Sequence, residues 1–380
     1  METIYLDHAA TSPVHPEVIA VMTKAFEQTF GNPSSIHTAG RQARKVLDDA
    51  RTSLARAVGA KDTEIIFTSG GTEADNTAIF GVVNMLGSKG KHIITTQIEH
   101  HAVLNACEKL EKEGYEVTYL PVDESGLISI DAFKNALRED TILVTIMYGN
   151  NEVGTVQPIA EIGQILKEHQ AVFHTDAVQA FGLELLNVDE LQVDLLSVSS
   201  HKLNGPKGIG FLYQRTGTPL SATFLGGSQE KKRRAGTENV PAAVGFAKAV
   251  EIAQSDMEAK VAQYEQFRST FVTVLDGEDI EYKVNGNAKH SLPHVLNISF
   301  KGMDVESFLV NLDMSGVYAS SGSACTAGSI DPSHVLVAMF GADRDELRNS
   351  IRFSFGLGIT EELVKEAAIR TAKIVKRLAK

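Results

Sequence analysis

The sequence is poor in cysteine and in basic residues, and it has no long apolar run. Its 380 residues include only two cysteines, Cys107 and Cys325, so a disulfide framework is excluded and both are expected to be thiols. The formal net charge of -12 argues against general binding to a nucleic-acid backbone. The N-terminus lacks the basic start and apolar core of a signal peptide, and no apolar run approaches the length of a membrane span. These absences predict a cytoplasmic protein that inserts into no membrane and binds no nucleic acid directly.

The remaining composition and pattern are typical of a soluble α/β protein. Hydrophobic residues make up 43% of the chain and charged residues 22%, which is the balance of a globular protein. Between residues 64 and 213, short β-rich runs alternate with segments of helical period, which predicts a mostly parallel sheet wrapped by helices. The last two strands are expected to pair antiparallel, because a glycine turn joins them. A long helical stretch is expected from Pro241 to about Leu275.

The length of the chain favours two domains of unequal size. We expect a large domain over residues 16–260 and a smaller α+β domain built from residues 1–15 and 261–380. Ligands of such sheets collect at the carboxyl ends of the strands. The polar clusters described next each follow a predicted strand, so they are candidates for one site.

The first cluster contains a lysine that lies between the end of an apolar predicted strand and a Gly/Pro turn. Lys202 follows Ser199-Ser200-His201 and precedes Gly205-Pro206-Lys207-Gly208. An amine beside hydroxyls, an imidazole and backbone donors can form a Schiff base with an aldehyde cofactor while its neighbours hold a phosphate. Taken alone, Lys202 would be assigned as a solvated loop lysine, so the other clusters decide between the two interpretations.

Two further clusters begin helices. The segment Thr68-Ser69-Gly70-Gly71-Thr72-Glu73 follows a strand, and its free amides and the helix dipole favour an anion such as a phosphate. A simple tight turn capped by Thr72 is the alternative. In Glu99-His100-His101, the imidazole of His100 can stack on a planar ring and move protons, or it can be a surface histidine at a helix start.

Another strand ends in His174-Thr175-Asp176-Ala177-Val178-Gln179, and strand alternation places His174 and Asp176 on one face. Asp176 can keep a heteroaromatic nitrogen protonated, while Gln179 can donate to the phenolic oxygen of the same ring. A His-x-Asp metal pair is the alternative. No third ligand with suitable spacing accompanies the pair, so no metal site is expected.

The two cysteines lie in different contexts. Cys325 belongs to a segment of small residues, 320–329, that follows a short strand and is too flexible for core packing. A thiol on such a mobile loop can serve as a nucleophile or as an acceptor that travels. Cys107 follows His100 on a helical pattern and is most simply a buried small hydrophobe.

Taken together, these clusters resemble a group I cysteine desulfurase of the NifS/IscS type, within the class V, fold-type I pyridoxal phosphate enzymes. The resemblance runs almost end to end and includes Tyr5-Leu6-Asp7-His8-Ala9-Ala10-Thr11, Phe30-Gly31-Asn32-Pro33-Ser34-Ser35, Asn150-Asn151-Glu152-Val153-Gly154 and Ser350-Ile351-Arg352-Phe353-Ser354. The Ser-Ser-Gly-Ser-Ala-Cys-Thr loop argues for group I, since group II members have a different, shorter cysteine segment. The resemblance implies a fold-type I transferase with a mostly parallel seven-stranded sheet, and pyridoxal 5'-phosphate (PLP) as cofactor.

The resemblance also implies a role for each candidate residue. Residues that contact the cofactor ring would be Lys202 as the Schiff-base anchor, Asp176 at the pyridine nitrogen, Gln179 at the phenolic oxygen and His100 stacked on the ring. Phosphate ligands would be Gly71, Thr72, Ser199 and His201, joined by Thr237 across the interface of a homodimer. Asn151, beside the cofactor, and Arg352 would bind the substrate L-cysteine, whose carboxylate matches the planar guanidinium. Cys325 would take the sulfur.

The implied reaction converts L-cysteine to L-alanine with a persulfide on Cys325. The chain stops soon after its final helix, without the tail that docks an iron-sulfur scaffold in housekeeping members. A tRNA 2-thiouridylase is therefore the expected sulfur acceptor, and an iron-sulfur scaffold is the second candidate. The basic run 231–234 is interpreted as a solvated loop arm, or else it attracts anionic partners.

Two other functions remain open at the level of sequence. A class V aminotransferase or selenocysteine lyase would use the same lysine anchor, and an aminotransferase would not require the loop cysteine. The non-enzymatic alternative is a sulfur-carrier or assembly protein with a vestigial cofactor site, against which the full set of cofactor residues speaks.

Overall fold

The computed structural model describes residues 2–321 and 332–378. The strands are β1 (Ile4–Tyr5), β2 (Ile65–Thr68), β3 (His92–Thr96), β4 (Glu116–Leu120), β5 (Thr141–Thr145), β6 (Val172–Asp176), β7 (Leu195–Ser199), β8 (Gly210–Gln214), β9 (Tyr282–Asn285), β10 (Val295–Phe300), β11 (Val317–Tyr318) and β12 (Ser350–Ser354). The helices are α1 (Pro16–Gln28), α2 (Thr38–Ala57), α3 (Gly71–Leu86), α4 (His101–Lys112), α5 (Ile130–Ala136), α6 (Ile159–Leu166), α7 (Val188–Leu191), α8 (Val240–Ser255), α9 (Met257–Gly277), α10 (Val305–Met314), α11 (His334–Phe340), α12 (Glu346–Asn349) and α13 (Glu361–Leu378).

A seven-stranded sheet organises the first two thirds of the chain, in the order β2-β8-β7-β6-β5-β3-β4. β8 runs antiparallel to β7 and β2, and the other neighbouring pairs are parallel. This confirms the predicted fold class and the predicted antiparallel pairing of the last two strands. The order brings the carboxyl ends of β5, β6 and β7 side by side, where their following loops can share one site.

Both faces of this sheet are covered, as apolar strands require. Val172 and Phe173 are adjacent on β6 and fall into two different hydrophobic clusters, because successive side chains of a strand point to opposite faces. One cluster packs the sheet against helices that include α2 and α8, and the other packs it against α3 and α4. The sheet is therefore the middle layer of three.

A second core forms around two smaller sheets. β12, β10 and β9 pair antiparallel in that order, and β1 pairs with β11 in a parallel two-stranded sheet. Ile4 and Leu6 from the N-terminus are buried in the same hydrophobic cluster as side chains of α9, α10 and α13. The predicted boundaries of the two domains stay a prediction.

The prediction of one long helical stretch from Pro241 to about Leu275 is wrong about its continuity. The structure has two helices, α8 and α9, which meet at Asp256, where φ is -118° and ψ is 12°. Within residues 2–321 and 332–378, no helix combines the length and apolarity needed to cross a bilayer. The same residues contain no group of three or more His, Cys, Asp or Glu side chains arranged to hold a metal ion.

Candidate active site

A cavity of about 490 Å³ opens beside the carboxyl ends of β6 and β7. Residues from α3, from the start of α4, from β12 and from the segment after β1 also line it. The lining includes ten of the site residues predicted from the sequence, namely Gly71, Thr72, His100, Asn151, Asp176, Gln179, Ser199, His201, Lys202 and Arg352. The fold thus brings the predicted residues together from strands that are distant in sequence.

Lys202 ends a short 3-10 turn that follows β7 directly, so the strand end fixes where its side chain begins. Its Nζ donates to the carbonyl oxygens of Ala9, at 2.5 Å, and Ala10, at 2.7 Å. Burial of the amine, helped by the positive charge of Arg352, lowers the pKa of Lys202 to about 8, against the opposing effect of nearby carboxylates. A lysine with a depressed pKa has more free base near neutral pH, which is the reactive form of an anchoring amine.

Asp176, the last residue of β6, presents a carboxylate at the floor of the cavity. Its Oδ1 accepts from the backbone N–H of Val178 at 2.9 Å. Burial raises the pKa of Asp176, although His100, the Val178 amide and Lys202 each work in the opposite direction. A cationic group brought against this carboxylate would be stabilised, because the surrounding low dielectric strengthens the attraction. A protonated ring nitrogen is such a group.

Behind Asp176 lies a second buried acid that sequence reasoning missed. Asp75 of α3 is 1% exposed, lines the cavity, and has Oδ1 at 3.6 Å from Nε2 of His174. Burial, and then repulsion from Asp176, raise the pKa of Asp75 well above its ordinary value. His174 donates or accepts at Ser197 (2.9 Å) and Thr145 (2.8 Å), and burial lowers its pKa to about 3, so its ring is neutral. Both ring nitrogens of His174 are therefore engaged by neighbouring hydroxyl groups.

His100 caps α4, with Nδ1 accepting from the backbone N–H of Ala102 at 3.1 Å. That bond fixes the ring at the helix start, where His100 lines the cavity. Burial lowers the pKa of His100; Asp176 opposes this shift and Lys202 adds to it. A neutral, anchored imidazole at a cavity wall is suited to lie against a planar ring.

The β2–α3 turn has the geometry of an anion site. Gly70 precedes α3 with φ 154°, a conformation that favours glycine, and it makes no side-chain capping bond. A Cβ at Gly210 would lie 2.8 Å from Cα of Gly70, so two backbones approach closely here. The leading amides of α3 therefore remain available to an anion. Nearby, His201 contacts the Thr11 hydroxyl through Nδ1 at 3.1 Å, and burial lowers its pKa to about 4.

Arg352 of β12 reaches the cavity from the second core. Its Nη2 donates to Asp7 Oδ1 at 2.8 Å and its Nη1 donates to the carbonyl of Asn151 at 2.9 Å. Its Nε is buried and has no hydrogen-bond partner among the described residues. The guanidinium is thus held on one side by Asp7 and Asn151 and keeps an unused donor, which is the donor type that a carboxylate ligand accepts from.

The segment that follows β1 forms a wall of the cavity. The carbonyl of Ala9 accepts from both Lys202 and the Nε2 of Gln179, the latter at 3.0 Å. Gln179 Oε1 lies 3.0 Å from Nε2 of His294, whose pKa burial lowers to about 3. The predicted donor of Gln179 is thus engaged with Ala9 through one hydrogen and has a second in reserve. The motif from Tyr5 to Thr11 indicated that this segment matters, but it did not predict the contacts that the segment makes.

Thr237 is a predicted residue that stands apart from this cavity. Thr237 is exposed and lines a different cavity of about 240 Å³ in the same chain, together with Ser69 and Arg234. Cys325 lies outside the described residues. Cys107 is fully buried in α4, and burial strongly raises the pKa of its thiol, which agrees with its interpretation as a small hydrophobe.

The arrangement fits PLP. The site offers an amine of lowered pKa, a buried carboxylate, a wall imidazole and a helix N-terminus without a side-chain cap, and these match an aldehyde, a ring nitrogen, a ring face and a phosphate. A cavity of about 490 Å³ also lies in the size range of cofactor sites.

Comparison with known proteins extends the match to the whole chain. The Aminotransferase class-V family model matches residues 4–366. "Putative cysteine desulfurase IscS 1" of Bacillus subtilis is 59% identical, covering 100% of both chains, and "Cysteine desulfurase IscS" of Dictyoglomus turgidum is 48% identical, covering 99% of this chain and 95% of the relative. Among solved structures, a NifS-like protein superposes with a TM-score of 0.93 at 35% identity, covering 99% of this chain and 100% of the other.

Proposed function

The chain belongs to the class-V aminotransferase family and is a PLP-dependent cysteine desulfurase, and from this premise we propose that it converts L-cysteine to L-alanine and stores the sulfur as a persulfide on Cys325. The observation that carries the proposal is the convergence of Lys202, Asp176 and the β2–α3 turn on one cavity. A sulfur carrier without catalysis has no need of a lysine amine whose pKa is lowered to about 8.

Each residue of the cavity has a task in this proposal. PLP, when bound, supplies the electron sink that weakens bonds at the substrate α-carbon. Asp176 would hold the ring nitrogen, His100 would cover the ring, and Ser199, His201 and the leading amides of α3 would hold the phosphate. Lys202 would anchor the cofactor, and as free base its amine could also take up the α-proton of the substrate. The carbonyls of Ala9 and Ala10 keep this amine within the cavity.

Substrate binding and sulfur transfer fall to two other residues. Arg352 lines the cavity, and its guanidinium would hold the substrate carboxylate. The Cys325 thiolate attacks the sulfur of bound cysteine, so that an S–S bond forms and the Cβ–S bond breaks. The electron pair of the broken bond remains with Cβ, which is protonated to the methyl group of alanine.

A pair of cysteine variants tests this function. Cys325→Ala should bind PLP as the wild type does, yet its release of alanine should fall by at least about 100-fold, because the nucleophile is missing. Cys107→Ala is the matched control and should keep near-normal turnover, since its thiol is buried and its pKa is raised. Near-normal alanine release by Cys325→Ala would place the nucleophile elsewhere.

We propose a homodimer as the active unit, with Thr237 of one chain at the phosphate of the other. Thr237 does not line the cavity of its own chain, although its neighbours Arg234 and Ala235 are fixed to that chain by hydrogen bonds. The nearby side chains of Phe224 and Leu225 are 51% and 88% exposed in the single chain. A second copy of the chain would cover these apolar side chains.

We also propose that the sulfur passes to a tRNA 2-thiouridylase in preference to an iron-sulfur scaffold. The net charge of -12 supports a route in which a separate acceptor binds the tRNA. The test offers radiolabelled sulfur from cysteine to both acceptors at equal concentration. Faster labelling of the thiouridylase supports the preference, whereas equal labelling or faster labelling of the scaffold contradicts it.

A further inference from the structure

The loop that carries Thr237 is fastened to the strand and turn that form the phosphate site of its own chain. Glu230 accepts from both Nη groups of Arg51, at 2.6 and 2.7 Å, and from the backbone N–H of Phe67 in β2, at 3.1 Å. Arg233 reaches the carbonyl of Ile65 in the same strand at 3.4 Å. These bonds attach residues 229–233 to β2, which leads directly into the β2–α3 turn.

A second attachment is made by Arg234, three residues before Thr237. Its Nε and Nη2 donate to the two carboxylate oxygens of Glu73, at 2.8 and 3.1 Å. Glu73 also accepts from the backbone N–H of Ser69, at 2.9 Å, and it directly follows Thr72. Burial opposes ionisation of Glu73, but the bonds from Arg234 and Ser69 lower its pKa, so the pair is ionic. One carboxylate therefore joins the phosphate turn to the Thr237 loop.

The backbone between the two attachments is held in an unfavourable conformation. Glu230, Lys231 and Lys232 have φ of 46°, 56° and 67°, a left-handed region that residues other than glycine adopt at a cost. Such a stretch persists only when surrounding contacts determine it. Two ion pairs with buried carboxylates, Arg51–Glu230 and Glu73–Arg234, supply contacts of this kind.

We infer that Arg234 is a positioning residue that couples the two cofactor sites of the dimer. Through Glu73 it ties the phosphate turn of its own chain to the loop that presents Thr237 to the phosphate of the partner. The inference rests on the proposed homodimer with Thr237 acting across the interface. Loss of the Arg234–Glu73 contact in one chain should therefore weaken phosphate binding in the site of the other chain.

Mixed dimers with two different affinity tags test this consequence, because Lys202→Ala silences one site at a time. The first hybrid pairs a chain that carries both Lys202→Ala and Arg234→Met with a wild-type chain. Its intact site lies in the wild-type chain and receives Thr237 from the altered loop of the partner. The second hybrid pairs a Lys202→Ala chain with an Arg234→Met chain, so its intact site lies in the Arg234→Met chain and receives Thr237 from a normal loop. The readout is the fraction of the Lys202 peptide that borohydride links to cofactor as PLP is titrated.

The first hybrid should need about tenfold more PLP for half-occupancy, the loss expected for one hydrogen bond to a charged group, and the second should be weakened less, because the bond from Ser69 still holds Glu73 in the intact site. With pyridoxal, which lacks the phosphate, the two hybrids should not differ. Lys232→Met removes an exposed positive charge from the same loop and is the control that should change neither hybrid. A merely structural role of Arg234 would weaken both hybrids equally, or pyridoxal as much as PLP, and would overturn the inference.

The same hybrids built with Thr237→Ala separate the inference from the function on which it rests. If Thr237→Ala weakens PLP binding in the first hybrid and Arg234→Met does not, the shared phosphate site is supported and the coupling through Arg234 is rejected. If Thr237→Ala weakens its own chain's site or neither site, the cross-interface assignment itself fails, and the coupling fails with it.

Discussion

Arg352 and Asp7 form a partly buried ion pair that joins β12 to the segment after β1, with 2.8 Å between Nη2 and Oδ1 across 345 positions of sequence. Both charges also act on Lys202: the arginine lowers the pKa of the lysine and the aspartate raises it. The pair therefore holds the guanidinium of Arg352 in place, and its two charges act in opposite directions on the pKa of Lys202, which burial lowers most. Two predictions about Lys202 follow from this arrangement.

The first concerns pH. An amine attacks an aldehyde only as free base, and the pKa of Lys202 is lowered from 10.5 to about 8. The rate of PLP attachment to apoenzyme should therefore rise with pH, reach half its maximum near pH 8, and level off above. Arg352→Met removes a positive neighbour and should move this midpoint to higher pH, whereas Asp7→Asn removes a negative neighbour and should move it to lower pH. Stopped-flow absorbance gives the midpoints.

The control for these shifts is Arg215→Met. Arg215 pairs with Asp189 at 2.6 Å and does not line the cavity, so its loss should leave the midpoint unchanged. Shifts of the same sign in Arg352→Met and Asp7→Asn would contradict the electrostatic account.

The second prediction concerns covalent attachment. Lys202→Ala should lose the borohydride-reducible link to PLP and at least about 1,000-fold in turnover, because anchor and base are the same amine. Lys207→Ala removes an exposed lysine from the same loop and should retain both properties. Alanine production by Lys202→Ala without added amine would refute the assignment.

A third prediction concerns stability. Arg51→Met leaves the Glu230 carboxylate, whose side chain is 2% exposed, without its cation, and should lower the free energy of unfolding by about 3 kcal/mol. Lys45→Met breaks an exposed pair with Asp49 and should cost under about 1 kcal/mol. Urea titrations followed by circular dichroism measure both, and equal losses would show that burial of the pair is not what makes it matter.

The fourth prediction concerns the dimer. Lys202→Ala and Thr237→Ala chains should partly complement each other when their subunits exchange, since the hybrid contains one site with an intact lysine and an intact partner threonine. Recovery should approach half of wild-type turnover in the hybrid. A fully active monomer at assay concentration, or no recovery in a verified hybrid, would contradict a shared site.

Much of the fold was predictable because strand and helix signals are local. The apolar run that ends at Ser199 is β7, and the glycine turn after it led to the correct antiparallel pairing with β8. The break between α8 and α9 was not predictable, since no Gly or Pro lies near Asp256 to interrupt the helical pattern.

The cavity was predictable where a side chain follows a strand end, as Asp176 and Lys202 do. It was not predictable where the contact is made by backbone or arises only on folding. The Ala9 and Ala10 carbonyls carry no side-chain chemistry, and their contact with Lys202 depends on the whole fold. Asp75 did have a signal, because it lies three residues after Thr72 and therefore on the same side of α3.

The central claim is that Cys325 accepts sulfur from cysteine activated at Lys202. Brief reaction of the holoenzyme with L-cysteine, alkylation and peptide mass spectrometry test it most directly. We expect the Cys325 peptide to gain the mass of one sulfur atom, with no gain in Lys202→Ala protein and none on the Cys107 peptide. A persulfide on Cys107, or turnover to alanine with Cys325 never modified, would contradict the account.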